Sequence, residues 1–211
     1  MHHFEYVPKK VYMPEKKKVI EMINQVQDLV RDDFTFRYDF IGSAKLNMVT
    51  CDPTTNIGYD FDVNIEVNDD EQKYSAKEIK QTLMNAFDKV VKKYGYDHCE
   101  DSTSVFTVKI KDARNSRILH SVDFAVVNNL PDGRQKYIKN NKAQRTYTWE
   151  FRPHGYFQED KIEYLKENGH WEEVKDRYLD LKNGNKDPNE KSRTLRAQTI
   201  NDIYNKYSKK D

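Results

Sequence analysis

The sequence predicts an α/β (α+β) domain: a mixed β-sheet flanked by helices, with a mostly helical C-terminal region. Three observations carry this. Period-2 strands alternate with period-3.6 helices through residues 15–130, one strand pair breaks the alternation at a short turn, and helical periodicity dominates after Pro131. Residues 1–130 are expected to form the core and 131–211 the helical region. A chain of 211 residues buries roughly 70% of its unfolded surface, enough for a sizeable core.

In order, residues 15–33 predict a helix, with Val19, Met22, Ile23, Val26, Leu29 and Val30 on one face. Phe34–Ile41 alternates Phe34, Phe36, Tyr38 and Phe40 with polar residues, as a strand does, and runs into Gly42-Ser43. Ala44–Gly58, with Pro53 and a short apolar patch at Leu46, Met48 and Val49, predicts a short helix or turn and then a loop. Tyr59–Val67 is the next strand, with Phe61, Val63, Ile65 and Val67 on one face and Asp60, Asp62, Asn64 and Glu66 on the other. Ser75 and Glu78 make a capping box ahead of a helix whose apolar face is Ile79, Leu83, Ala86, Phe87, Val90 and Tyr94. Gly95 stops it. Ser104–Lys111 and Arg117–Asn128 are strands joined through Asp112–Ser116. Gln144–Phe151 is a strand or an extended segment, and 158–168, 171–183 and 191–207 are helices separated by Gly169 and Asn183-Gly184-Asn185.

Charged residues make up 34% of the chain yet nearly cancel, leaving a net charge of +1 and no global pull toward nucleic acid or membrane. No apolar run approaches the roughly 20 residues of a membrane span, and Met-His-His-Phe-Glu-Tyr at the N-terminus contains no apolar signal region. Cys51 and Cys99 form no CxxC pair, so the expectation is a reducing, cytoplasmic setting. Charge is unevenly placed. Asp52–Glu71 contains seven acids and no Lys or Arg, while Arg134–Arg152 contains six bases and one acid. An anionic substrate between two such segments and a plain solvated surface both fit that pattern.

The chemistry concentrates in Asp60, Asp62 and Asp123. Each lies in a run that reads as a buried strand, where charge is costly unless paired. Residues i and i+2 of a strand share a face, so Asp60 and Asp62 converge, and Asp123 joins them if its strand is a neighbour. An oxygen-only set suits Mg²⁺ or Mn²⁺, and two such ions suit in-line phosphoryl displacement. Gly42 lets a phosphate approach the backbone, and the Ser43 hydroxyl supplies a donor. The competing account makes Asp60, Asp62, Asn64 and Glu66 a solvated strand face. It explains Asp123 less well, because Ile118-Leu119 and Val126-Val127 imply burial on both faces.

Phe40-Ile-Gly-Ser43, then Tyr59-Asp-Phe-Asp-Val63, then Val122-Asp-Phe124 resembles the DNA polymerase β-like nucleotidyltransferase superfamily, small bacterial or phage-type members especially, over about residues 15–130. The resemblance implies a nucleotidyltransferase core. Asp60, Asp62 and Asp123 would hold two divalent ions, Gly42-Ser43 would grip the triphosphate of an NTP such as ATP, and Asp123 would also take the acceptor's proton. It implies transfer of a nucleoside monophosphate to a hydroxyl with release of pyrophosphate, 131–211 completing the donor and acceptor sites. The second glycine that compact members carry soon after Gly-Ser is missing, and Gly58 stands just before the acids instead. The acceptor stays open among a small molecule, a nucleotide, an RNA 3′ end and a protein side chain, and the oligomeric state is not indicated. A non-catalytic NTP-binding domain and a two-metal phosphodiesterase are the alternatives.

Other features carry less. His98-Cys99 and His120 lack metal-ligand spacing. Lys109 and Lys111 are expected to pair with nearby acids. Trp149, Phe151, Tyr156 and Phe157 are expected to pack rather than to stack on a base, and the basic tail from Lys182 to be solvated.

Overall fold

In the computed structural model, residues 2–55, 57–69, 73–152, 158–187 and 189–208 are described. The elements run β1 (Glu5–Tyr6), α1 (Lys9–Val30), β2 (Thr35–Ile41), α2 (Gly42–Leu46), β3 (Thr50–Cys51), β4 (Ile57–Asn68), α3 (Ala76–Val90), a 3₁₀ turn (Val91–Tyr94), β5 (Glu100–Asp101), β6 (Phe106–Asp112), β7 (Arg117–Asn129), β8 (Gln135–Asn141), β9 (Thr146–Phe151), α4 (Glu159–Glu167), α5 (Trp171–Gly184) and α6 (Ser192–Tyr207). They fall into two units. One comprises Val7–Thr50 and Asn56–Pro153; the other comprises Met1–Tyr6, Cys51–Thr55 and His154–Asp211. The class is the mixed α+β one that the strand and helix periodicities predict.

The larger unit is a mixed sheet of order β2-β4-β7-β6-β5, with β8 on β7 and β9 on β8. β4 and β7 are parallel, and the other pairs are antiparallel. Parallel neighbours need a long crossover, and α3 lies within the one that joins β4 to β7. The alternation of β4 buries Phe61, Val63 and Ile65, and the matching positions of β7, Val122, Phe124 and Val126, are buried beside them. Tyr12 of α1 meets Phe61 edge-on at 6.3 Å between centroids, and Phe87 of α3 lies 4.4 Å from Phe124. One sheet face is therefore the core. Burying a side chain such as Phe87 there stabilises by about 1.5–3 kcal/mol.

The capping box at the start of α3 is present: Ser75 Oγ accepts from Glu78 N, and Glu78 accepts from Ser75 N at 2.8 Å. Gly95 ends the following turn at φ +86°. α1 differs from the periodicity estimate of 15–33, beginning at Lys9 and ending at Val30. Tyr12, buried and donating to Asn47 Oδ1 at 3.1 Å, extends the apolar stripe about two turns ahead of Val19, where the aliphatic spacing begins. Leu29 lies off that stripe and is 48% exposed. β8 was not expected from the sequence, since Gln135–Asn141 is polar; pairing with β7 and β9 and the burial of Ile138 make it a strand.

Buried Lys80 ties α3 to the strands. Its Nζ lies 2.7 Å from Asp101 Oδ1 and donates to the carbonyls of Ser102 (3.0 Å) and Val105 (3.2 Å). Tyr147 Oη and Asn140 Nδ2 donate to the other oxygen of Asp101, at 2.6 and 2.9 Å.

In the smaller unit α4, α5 and α6 bury Leu165, Val174, Tyr178, Leu195, Thr199, Ile200 and Ile203. His170 stacks on Tyr207 with centroids 3.6 Å apart, and Lys206 and Tyr207 both engage Glu173. The N-terminal residues are held by Asp52, whose carboxylate accepts from His3 N and from Thr54 and Thr55, and by Asn183, paired with the backbone of Phe4. Among the described residues no helix is long and apolar enough to cross a membrane.

Candidate active site

Strand register sets the positions of the acids. In the parallel β4–β7 pair Asp62 stands directly opposite Asp123, and Asp60 opposite Ser121. Both pairs lie on the face away from Phe61 and Val122, hence away from α1 and α3. Asp60 stands one pleat, about 6.5–7 Å, along β4 from Asp62. The antiparallel β2–β4 pair sets Ile41 opposite Asp62, which delivers the next residue, Gly42, to the Asp62 carboxylate. Gly42 has φ +63°, and a Cβ there would stand 2.5 Å from Asp62 Oδ2. Glycine is required at this position both by the left-handed backbone and by the close approach of the carboxylate.

Burial differs from the strand-interior expectation. Asp60 is exposed, and Asp62 and Asp123 are half-buried. Of the residues expected to be buried on either side of Asp123, Val126 and Val127 are buried, while Ile118 and Leu119 are each 39% exposed. They lie near the start of β7, where the strand is exposed; burial begins at His120.

Asp123 is held by a hydrogen bond across the sheet. Thr107, its cross-strand neighbour on β6, donates from Oγ1 to Oδ1 at 2.6 Å. Burial raises the proton affinity of this carboxyl above the ordinary Asp value. The Thr107 hydrogen bond opposes that, the charge of Asp60 adds to it, and Lys109 counters it more weakly. Lys109 pairs with Glu100, and Lys111 with Asp97 at 2.8 Å, so both lysines are engaged with acids as expected. Further along the acid-bearing face Arg152 donates to Asn64 Oδ1 at 3.3 Å, and Glu66 pairs with Arg37 and accepts from Asn129 Nδ2.

Gly42-Ser43 opens α2, a helix of five residues, and Ser43 O accepts from Asn47 N and Met48 N. Among the described residues the Ser43 hydroxyl makes no hydrogen bond. Gly58 has a different task from a phosphate-binding glycine. A Cβ there would stand 2.3 Å from Leu119 O and 2.4 Å from Ile118 O, so Gly58 lets β4 press against the backbone of β7.

The donor chemistry fits a hard divalent cation: three carboxylates, no thiol and no imidazole, with one carboxyl whose charge is disfavoured by its surroundings. Among the described residues no three His, Cys, Asp or Glu side chains stand close enough to hold an ion as they are. Closing the trio takes side-chain rotation, which the exposed position of Asp60 permits. His120 has no part in this set. It is buried, stacked on Tyr59 at 5.0 Å, and shares its Nε2 with Tyr96 Oη (3.2 Å) and Glu15 (3.4 Å). Trp149 is half-buried and Phe151 is 46% exposed beneath Arg134 and Lys136; Tyr156 and Phe157 lie outside the described residues. Thr107 was missed by sequence reasoning. A threonine in a strand is ordinary, and only register shows that it faces Asp123.

No protein-family model and no curated protein sequence matches the chain. Solved structures do. The Vibrio cholerae DncV cyclic AMP-GMP synthase, in complex with the linear intermediate 5′ pppA(3′,5′)pG, superposes with a TM-score of 0.56 at 15% identity, over 90% of this chain and 51% of that one. Its GTP-bound form gives the same values. The Bradyrhizobium diazoefficiens CD-NTase CdnG in complex with GTP gives a TM-score of 0.51 at 9% identity, over 82% of this chain and 43% of that one. The chain thus spans about half the length of these structures. The likeness is one of fold: this chain shares the mixed-sheet fold of these solved structures, the fold that its Gly-Ser and Asp-x-Asp pattern leads one to expect.

Proposed function

We propose that this protein is a metal-dependent nucleotidyltransferase that moves a nucleoside monophosphate from an NTP to an acceptor hydroxyl. The observation that carries the reading is the convergence of Gly42, Asp62 and Asp123, which neighbouring strands bring to one place on one sheet face. A surface of merely solvated acids has no reason to require a left-handed glycine against a carboxylate.

The backbone at Gly42 and the Ser43 hydroxyl would hold the triphosphate. Mg²⁺ or Mn²⁺, two ions in the full site, would be held by Asp60, Asp62 and Asp123 and would neutralise charge on the attacking and leaving oxygens. The acceptor oxygen attacks the α-phosphorus, the bond to the bridging oxygen breaks, and pyrophosphate leaves. Asp123 takes the acceptor's proton, a task that its raised proton affinity suits. The similarity to a cyclic AMP-GMP synthase with a linear dinucleotide bound makes a nucleotide 3′-hydroxyl the first acceptor to try.

A second reading has its own support: a non-catalytic domain of the same fold that binds NTP. Among the described residues the acids do not close into a three-ligand cluster. One experiment separates the two. The protein is incubated with each NTP, singly and in pairs, with Mg²⁺ or Mn²⁺, and pyrophosphate and product masses are read. The enzyme reading expects pyrophosphate, a product joined through a new phosphodiester, and loss of both in Asp62→Ala. NTP binding without pyrophosphate supports the second reading. An Asp62→Ala protein as active as the parent removes the metal-site assignment.

A further inference from the structure

Asp123 has two oxygens, and the structure treats them differently. Oδ1 accepts the 2.6 Å hydrogen bond from Thr107, while among the described residues Oδ2 accepts none. Thr107 is itself 8% exposed and set directly across the β6–β7 ladder from Asp123. A β-branched residue on a strand has little χ1 freedom, and strand pairing fixes its backbone, so the donor is rigid. Packing alone does not call for a hydroxyl here, since valine has nearly the same shape.

We propose that Thr107 is a positioning residue of the transfer reaction: it locks Oδ1 of Asp123 so that Oδ2 alone is presented to the acceptor proton or to a bound divalent ion. This rests on the nucleotidyltransferase reading given above. A carboxylate held at one oxygen offers a single lone-pair direction to its target, whereas an unheld one rotates and divides its time between two. Groups that orient a ligating or catalytic side chain typically contribute about 10- to 100-fold in metal affinity or rate.

The test uses the full chain carrying Thr107→Val or Thr107→Ser. Mn²⁺ alone is titrated and followed by its electron paramagnetic resonance signal, and pyrophosphate release is measured with NTP and Mn²⁺. Thr107→Val is expected to weaken Mn²⁺ retention and to lower kcat by about 10- to 100-fold, with the KM for NTP unchanged. Thr107→Ser, which keeps the hydroxyl, is expected to recover most of both. Thr107→Ala carries the same expectation should the valine chain fail to fold. Thr107→Val matching the parent in both readouts overturns the inference, as does Thr107→Ser being as impaired as Thr107→Val, or a raised KM with kcat unchanged. A parent that binds Mn²⁺ yet releases no pyrophosphate sinks the enzyme reading alone, and the Mn²⁺ series then decides on Thr107. A parent that does neither overturns both.

Discussion

Replacing Gly42 by alanine tests the site through its backbone. The residue sits at φ +63°, a conformation that costs an L-residue roughly 1–2 kcal/mol. The new Cβ would stand 2.5 Å from Asp62 Oδ2, where non-bonded heavy atoms settle at about 3.5 Å or more. The Asp62 carboxylate, at the end of its side chain, must therefore turn aside by about 1 Å, which costs from near zero to about 3 kcal/mol. The sum is about 1–5 kcal/mol. At about 2–4 °C per kcal/mol for a chain of this size, the midpoint falls by roughly 2–20 °C. Gly95 provides the control, because it too is left-handed, at φ +86°, but a Cβ there meets nothing within 4 Å. Gly95→Ala should pay the backbone cost alone. Adding Asp62→Ala to Gly42→Ala removes the obstructing oxygens, so the double variant should be more stable than the sum of the singles. Thermal unfolding by circular dichroism reads the stabilities, and pyrophosphate release reads the site, which Gly42→Ala should disable while Gly95→Ala leaves it intact. If Gly42→Ala costs no more than Gly95→Ala, shows no coupling to Asp62 and releases pyrophosphate at the parent rate, the close approach of Gly42 to Asp62 plays no part in function.

Two other predictions concern groups outside the site. Lys80→Met leaves Asp101 with its Tyr147 and Asn140 donors but without its buried cation, and should cost about 3 kcal/mol or more in urea unfolding; a loss below about 1 kcal/mol would show that water or rearrangement replaces the ammonium. Burial among Tyr59, Tyr96 and Phe61 lowers the proton affinity of the His120 ring, and Glu15 and the Ser121 backbone only partly oppose it, so the unfolded chain binds the extra proton more readily. That contribution to stability is complete above the unfolded imidazole value of about 6.5 and is lost as pH falls through the lower folded value. His120→Phe should accordingly lose less stability than the parent between pH 7.5 and 5.5, and an equal loss in both proteins would place the titration elsewhere.

What was legible in the sequence was what period and local chemistry encode. Alternation in Tyr59–Val67 assigned Phe61, Val63 and Ile65 to the core and Asp60 and Asp62 to the other face, because successive strand residues must point to opposite sides. The Ser75–Glu78 box was legible because a helix start needs acceptors for its free N–H groups. Less was legible where identity depends on partners. β8 has no strand signature of its own, and α1 gains its first turn from one tyrosine.

By itself, then, the sequence determined the class of the fold, the strand carrying each acid and the face on which Asp60 and Asp62 lie. All of these follow from local periodicity. Tertiary structure alone decided that β4 and β7 are parallel neighbours, which sets Asp62 against Asp123. It also decided that Gly42 abuts a carboxylate, that Gly58 serves strand packing, and that Thr107 holds Asp123. The reason is physical: pairing and register join segments far apart along the chain, and the free energy that selects them comes from burying the core face of many strands at once, which no local window contains.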